Sequence, residues 1–193
     1  MPLTIRKALP KDASLLVRVV DMASDGVVPT LWAEMAPPGM DGPGVGQALV
    51  AAEDGDFSYR NGFIAERDGA ELGGLIGYAL PTTPQPVAPG VPEAFVGIEE
   101  LAQLAPGHWY INFMAAVPEG RRQGVGASLL KEAEEQARNR SCPGLALIVA
   151  ASNENAVRLY QQAGYTERAR RPFDLSDFGE EPTEAVLMVK ELG

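Results

Sequence analysis

The chain has 193 residues, 46% of them hydrophobic and 22% charged, a balance that suits a single globular domain over 1–193 with a sizeable core. Its 26 acidic residues outnumber 16 lysines and arginines for a net charge of −10, and a surface of that sign repels polyanions, which argues against nucleic acid and favours cationic partners. One cysteine, Cys142, and one histidine, His108, make neither a disulfide nor a metal-ligand cluster, so no metal is expected. No stretch has the length of a signal peptide or a membrane span, and the expectation is a cytoplasmic protein with no membrane partner.

Thr4 to Ala8 reads as a short edge strand, and Pro10-Lys11-Asp12 opens a helix in which Leu15, Leu16, Val19, Met22 and Ala23 recur at helical spacing. A second helical stretch around Thr30 to Met35 stops in APPGMDGPGVGQ, Ala36 to Gln47, whose prolines and glycines predict irregular structure. Phe63 to Glu66 and Leu72 to Leu80 are β-compatible runs on either side of Asp68-Gly69, a hairpin turn signal. Pro81 to Gly107 is the least regular part, rich in proline around one helical candidate, Ile98 to Leu104. From Trp109 to Ala116 the chain is strand-like. Val125, Leu129, Ala133 and Ala137 then line one face of a helix that exposes Lys131, Glu132, Glu135 and Arg138. Leu145 to Ala150 reads as a strand buried on both faces. Asn153 caps a helix burying Ala156, Leu159, Tyr160 and Ala163, and Gly164 ends it. Strands near Tyr165 and at Ala185 to Val189 close the chain.

The segment VPEGRRQGVG, Val117 to Gly126, places two arginines and a G-x-G between a strand and a helix. A helix start turns unpaired amides toward one point where its dipole favours negative charge, and glycine lets the backbone approach an oxygen-rich group such as a pyrophosphate. The same residues also serve an ordinary strand-to-helix loop: PGVGQAL, Pro43 to Leu49, has a G-x-G with neither strand nor arginine. The nucleoside triphosphate loop G-x-x-x-x-G-K-[ST] is absent, as are the third glycine and later acidic residue of the dinucleotide fingerprint.

As AVPEGRRQGVGA the segment resembles the R-x-x-G-x-G/A signature of the GNAT superfamily of N-acetyltransferases. ASNENAVRLYQQAGY is similar to its second signature, N-x-x-A-x-x-L-Y-x-x-x-G-[FY], at Asn153, Ala156, Leu159, Tyr160, Gly164 and Tyr165. The resemblance implies an α/β (α+β) GNAT fold: a mixed, mostly antiparallel sheet of about seven strands with helices on both faces and a V-shaped splay between the fourth and fifth. It implies acetyl-coenzyme A as cosubstrate. Backbone groups of Met114, Ala115 and Ala116 would pair with the pantetheine arm, and Arg121, Arg122, Gln123, Gly124, Val125, Gly126 and Ala127 would hold the pyrophosphate. Asn153 would hydrogen-bond the cofactor. Tyr160 would meet it at the thioester sulfur as general acid, a role worth roughly 10² to 10⁴ in rate. Taken without the motif, Tyr160 reads first as a core aromatic and Asn153 as a simple helix cap; with the motif the general-acid role becomes the better reading of Tyr160, and Asn153 can serve in both ways.

The activity so implied is acetyl transfer from acetyl-coenzyme A to a primary amine, on a small molecule or a peptide. The alternative is a non-catalytic acyl-coenzyme A-binding module, which the lack of a recognisable base leaves open and Tyr160 argues against. N-terminal acetyltransferases of ribosomal proteins often carry a glutamate five residues before the motif asparagine, where this chain has Ile148. By strand alternation Tyr110 and Asn112 share a face with His108, Met114 and Ala116, which makes Tyr110 and Asn112 acceptor-side candidates. His108, the one side chain expected to titrate near neutrality, reads as a capping or surface residue. Glu99 and Glu100 sit on a helical candidate placed to overhang a pocket, or are simply solvated. Phe57 to Asn61 either meets the acceptor or packs on the first helices. Arg168, Arg170 and Arg171 form a second cationic group. The resemblance slightly favours a homodimer.

Overall fold

The computed structural model describes residues 2–87, 89–179 and 181–193. Among the described residues are seven strands, in the order β1-β2-β3-β4-β5-β7-β6, and six α-helices. The chain divides into two compact units, Met1–Tyr78 with Asn112–Glu132, and Ala79–Ile111 with Ala133–Gly193. No described helix is long and apolar enough to cross a membrane.

In the first unit β1 (Thr4–Lys7) pairs antiparallel with β2 (Gly62–Arg67), Thr4 opposite Glu66, and β2 pairs antiparallel with β3 (Ala70–Ala79). Asp68 and Gly69 turn that hairpin with φ of 54° and 78°, the left-handed pair that its tight turn requires. A 3-10 turn, Pro10–Asp12, leads into α1 (Ala13–Ala23), whose Leu15, Leu16, Val19 and Val20 are buried at helical spacing. With Trp32, Ile64, Ile76 and Val117 they make this unit's core.

The second helix, α2 (Val27–Glu34), starts three residues before the expected Thr30. The proline- and glycine-rich segment after it is not irregular throughout: Gly42–Ala51 forms α3. Asp41 caps it by accepting from the Gly44 amide at 2.8 Å, and Pro43 falls in the first turn, where its missing amide hydrogen costs nothing. Gly46 is covered by the Trp32 ring so closely that any Cβ would overlap it. Packing of α3 on α2 thus overrides glycine's poor helix propensity.

In the second unit α4 (Glu93–Ala102) begins five residues before the expected Ile98 and ends two before Leu104. Pro92 stands at its cap. Phe95 meets Phe173 and Phe178 edge-on, 6.2 and 6.3 Å between ring centroids, tertiary contacts with no trace in the local pattern. β5 (Gly144–Ala150) pairs antiparallel with β7 (Thr183–Glu191) along its whole length, and β7 pairs with β6 (Thr166–Phe173).

Strand β4 (Trp109–Ala116) has the limits expected, and its first three residues lie parallel to β5: Trp109 opposite Leu145, Tyr110 opposite Ala146, Ile111 opposite Leu147. Among the described residues the ladder stops there, while β5 continues to Ala150 on β7 alone, a parting of the ladder where the splay between the fourth and fifth strands is expected. α5 (Val125–Asn139) buries Val125, Leu129, Ala133 and Ala137, as its periodicity required. α6 (Glu154–Gln162) is less buried than its sequence suggests. Of the four apolar residues expected inside, only Tyr160 is; Ala156, Leu159 and Ala163 are half-buried.

Candidate active site

In the first unit β4 delivers Asn112–Ala116, all half-buried, to a 3-10 turn at Pro118–Gly120. The Val117 amide donates to the Leu72 carbonyl at 3.1 Å, tying the end of β4 to β3. The backbones run so close here that a Cβ on Gly73 would stand 2.5 Å from the Ala115 carbonyl oxygen. Beyond the turn, Arg122 and Gly124 both take left-handed φ, 59° and 79°. Gly124 does so freely and faces open space; for arginine this conformation costs roughly 1–2 kcal/mol.

The first intrahelical bond of α5 runs from the Ser128 amide to the Gly124 carbonyl at 3.0 Å, so the amides of Val125, Gly126 and Ala127 stand ahead of it with no acceptor inside the helix. That arrangement, with the positive end of the helix dipole, suits an anion. Gln123 is already occupied: its Oε1 accepts from Arg67 Nη1 at 2.7 Å and its Nε2 donates to the Glu119 carbonyl at 2.5 Å.

The arginines of the two cationic segments part here. On β6, Arg168 pairs with Glu191 and donates to the Leu104 carbonyl at 3.3 Å, Arg170 pairs with Glu167 and Glu184 at 2.6 and 2.5 Å, and Arg171 pairs with Glu100 at 3.1 Å. Those charges are spent. Arg121 and Arg122 are exposed and, among the described residues, have no carboxylate partner, in a chain with ten more acids than bases. Arg67 carried no sequence signal, because its partner Gln123 is 56 residues away.

In the second unit Asn153 caps α6 as expected, accepting from the Ala156 amide at 3.1 Å. The Tyr160 ring is buried, 9% exposed, and burial pushes its phenol up to about 12. No described residue hydrogen-bonds its hydroxyl. A phenol so placed stays protonated at working pH and is a donor without a committed acceptor. Tyr165 packs beside it, 5.9 Å between centroids, with its own hydroxyl buried and unpartnered among the described residues. Its acidity is lowered further, by burial first and then by Tyr160 and Glu134.

Tyr110 is buried in the parallel ladder of the second unit, and Asn112 is half-buried just past its end in the first. Of the two readings of His108, capping or surface, its 5% exposure overturns the second. Its Nδ1 lies 3.1 Å from the Pro106 carbonyl, a contact within its own loop, and its Nε2, buried and without a hydrogen-bond partner among the described residues, stands 3.4 Å from a Glu191 carboxylate oxygen. Glu100 is paired with Arg171 and so is not a free acid over a pocket. Phe57 stacks on Phe113 at 5.5 Å and meets Trp32 edge-on at 5.3 Å, while Ser58 donates to the Ala52 carbonyl at 2.6 Å, so this stretch packs on the first helices. Among the described residues no group of three or more His, Cys, Asp or Glu is placed to hold a metal ion.

Three likenesses to known proteins bear on these features. Over 62 residues the chain is 40% identical to aminoglycoside N(6′)-acetyltransferase type 1 of Klebsiella aerogenes, a stretch spanning 32% of this chain and only 38% of that relative. Ard1 from Thermoplasma volcanium shares the fold with a TM-score of 0.63 at 18% identity, covering 100% of this chain and 99% of that one. A GNAT family acetyltransferase from Elizabethkingia anophelis, solved with acetyl-CoA bound, gives a TM-score of 0.51 at 19% identity over 68% of this chain and 75% of that one. The acetyltransferase (GNAT) family model itself matches residues 40–165, which takes in both the arginine loop and the whole of α6. On that match, over more than half its length, the chain belongs to the acetyltransferase (GNAT) family.

Proposed function

We propose that the protein transfers the acetyl group of acetyl-coenzyme A to a primary amine. The observation that carries this reading is the loop Arg121–Ala127, where two arginines with no carboxylate partner among the described residues, a strained left-handed backbone and amides with no acceptor inside their helix come together in an otherwise acidic chain. The pyrophosphate is the group such a loop suits. Gln123 contributes its backbone there, since its carboxamide is engaged at both ends. Met114, Ala115 and Ala116 offer backbone groups to the pantetheine arm, and Asn153 adds a polar contact beyond its capping bond. The family match runs through both compact units, which supports treating the 193 residues as one domain.

In the reaction the neutral amine attacks the thioester carbon, the C–N bond forms, and the C–S bond breaks as the sulfur leaves. Tyr160 gives its phenolic proton to the departing thiolate, and the proton lost from the attacking nitrogen passes to solvent, from which the phenol is restored. A phenol raised to about 12 stays protonated until the sulfur carries charge, and burial raises the basicity of the thiolate in the same direction. Tyr110 and Asn112 are the acceptor-side residues of this reading. A surface of net charge −10 concentrates cationic amines, and the partial match to an aminoglycoside acetyltransferase makes small polycationic amines the first class to try. The test is release of free thiol from acetyl-coenzyme A across a panel of aminoglycosides, polyamines and peptides. Amine-dependent thiol release is the expected result; tight coenzyme A binding with no turnover on any amine would point to a binding module instead.

A further inference from the structure

The arginine that ends β2 is built into the back of the loop. Arg67 is half-buried, its Nε is sealed from solvent without a partner among the described residues, and its Nη1 reaches across to Gln123 Oε1 at 2.7 Å. The other end of the same carboxamide donates to the Glu119 carbonyl at 2.5 Å, so Gln123 is held at both heads between the hairpin and the 3-10 turn. Its chain neighbours are the two left-handed residues, Arg122 at φ 59° and Gly124 at φ 79°. An arginine with a free choice leaves that region, because its Cβ crowds the following carbonyl. If Arg122 relaxed to negative φ, the chain after it would turn and carry the amides of Val125, Gly126 and Ala127 off their common direction. A hydrogen bond from a guanidinium to an amide oxygen belongs to the stronger class and is comparable in size with that strain. The clasp and the strain sit on adjacent residues.

We propose that the Arg67–Gln123–Glu119 clasp holds the loop in its anion-binding conformation ahead of the ligand, which makes Arg67 a positioning residue for coenzyme A binding rather than a contact to it. This rests on the acetyl-coenzyme A reading above. Pre-organisation of this kind adds affinity by removing an ordering cost at the moment of binding.

Calorimetric titration of the full chain with coenzyme A tests it without turnover. Arg67→Met keeps the apolar stem and removes every donor, and Gln123→Ala removes an exposed side chain that the fold tolerates losing. Each is expected to raise Kd about tenfold, the size of one left-handed arginine released. Combined, they should raise it by about the same tenfold, since both cut one clasp. Arg67→Lys, which restores a cationic donor, should recover most of the loss. The melting temperature of the ligand-free protein serves as the structural readout and should fall little in Gln123→Ala. Unchanged Kd in Gln123→Ala overturns the clasp, and that variant decides the matter even if Arg67→Met fails to fold. A double variant weakened about a hundredfold, the product of two independent losses, shows that Arg67 touches the ligand itself and overturns the positioning role. Wild-type protein that binds no coenzyme A removes the acetyl-coenzyme A reading first and the clasp with it, an outcome distinct from both.

Discussion

In the loop Arg121–Ala127 the groups proposed to bind the pyrophosphate are exposed, charged and set on strained backbone; on α6 the Tyr160 phenol is buried, neutral and carried by an ordinary capped helix. The contrast follows from what each would do. A pyrophosphate arrives from water carrying its charge, so its site needs cations that are not already neutralised and amides fixed before it comes. A proton donor must keep its proton until the leaving group needs it, which favours desolvation and the absence of nearby cations. On the proposed reading, stored strain would serve ligand binding in one place and burial would serve proton donation in the other.

The α6 side of this comparison breaks most completely with Tyr160→Phe. The ring and its packing remain and only the donor goes, so kcat should fall by roughly 10² to 10⁴ while coenzyme A affinity changes less than about twofold. Once an acceptor is in hand, steady-state rates of the two proteins within about threefold of one another would falsify the general-acid role and leave Tyr160 as a packed aromatic.

On the loop the effect should appear in affinity and leave the chemical step alone. Gly124→Val puts a β-branched side chain at φ 79°, where L side chains are strained whatever the open space around them; coenzyme A should bind at least tenfold more weakly as the loop changes shape. An unchanged calorimetric Kd would mean that the left-handed glycine serves the turn and no ligand. A smaller change belongs to Arg121→Ala and Arg122→Ala, a few-fold each at 0.05 M salt and less at 0.5 M, because exposed charge is screened. Arg170→Ala is the comparison that sharpens this, since Glu167 and Glu184 already hold that guanidinium. If it weakens coenzyme A binding as much as the loop arginines do, pairing is not what separates the two groups.

Much of this architecture was legible because periodicity and turn chemistry are local. The Asp68-Gly69 hairpin, β4, the buried face of α5 and the Asn153 cap all lie where short windows of sequence put them. What escaped was decided by partners distant in sequence. α3 exists because Gly46 lets α3 lie on Trp32, and α4 starts early because Phe95 finds Phe173 and Phe178. The five arginines looked alike in sequence; only the positions of Glu100, Glu167, Glu184 and Glu191 show which three are neutralised. His108 read as a capping or a surface residue; the contact of its ring with Pro106 is local and could be foreseen, whereas its burial comes from elements far along the chain, Glu191 among them. The burial of Tyr160 was legible in the periodicity of α6, but the same pattern overstated Ala156, Leu159 and Ala163, which are only half-buried.

The smallest expected effect concerns Tyr165, which separates burial as a catalytic device from burial as a cost. Its hydroxyl is buried with no partner among the described residues, and an unsatisfied buried hydroxyl carries a desolvation penalty that no hydrogen bond offsets. Tyr165→Phe removes the penalty and keeps the ring against Tyr160 at 5.9 Å, so the variant should be as stable as wild type at pH 7 or up to about 1 kcal/mol more so, roughly 2–4 °C in Tm for a chain of this size. The pH dependence has a definite sign. Below about pH 9 the phenol is protonated in both folded and unfolded chains and contributes almost no slope. From about pH 9 upward the unfolded chain releases a proton that the native state, with its phenol raised by burial, retains, so stability falls as pH rises through that range. Tyr160, raised to about 12, adds a slope of the same sign between pH 10 and 12, which remains in Tyr165→Phe. The Tm advantage of the variant should therefore widen between pH 9 and 11 without the slope vanishing. A variant less stable than wild type at pH 7 would show that the hydroxyl has a partner after all, and that Tyr165 helps to hold the pair of rings rather than only filling space beside Tyr160.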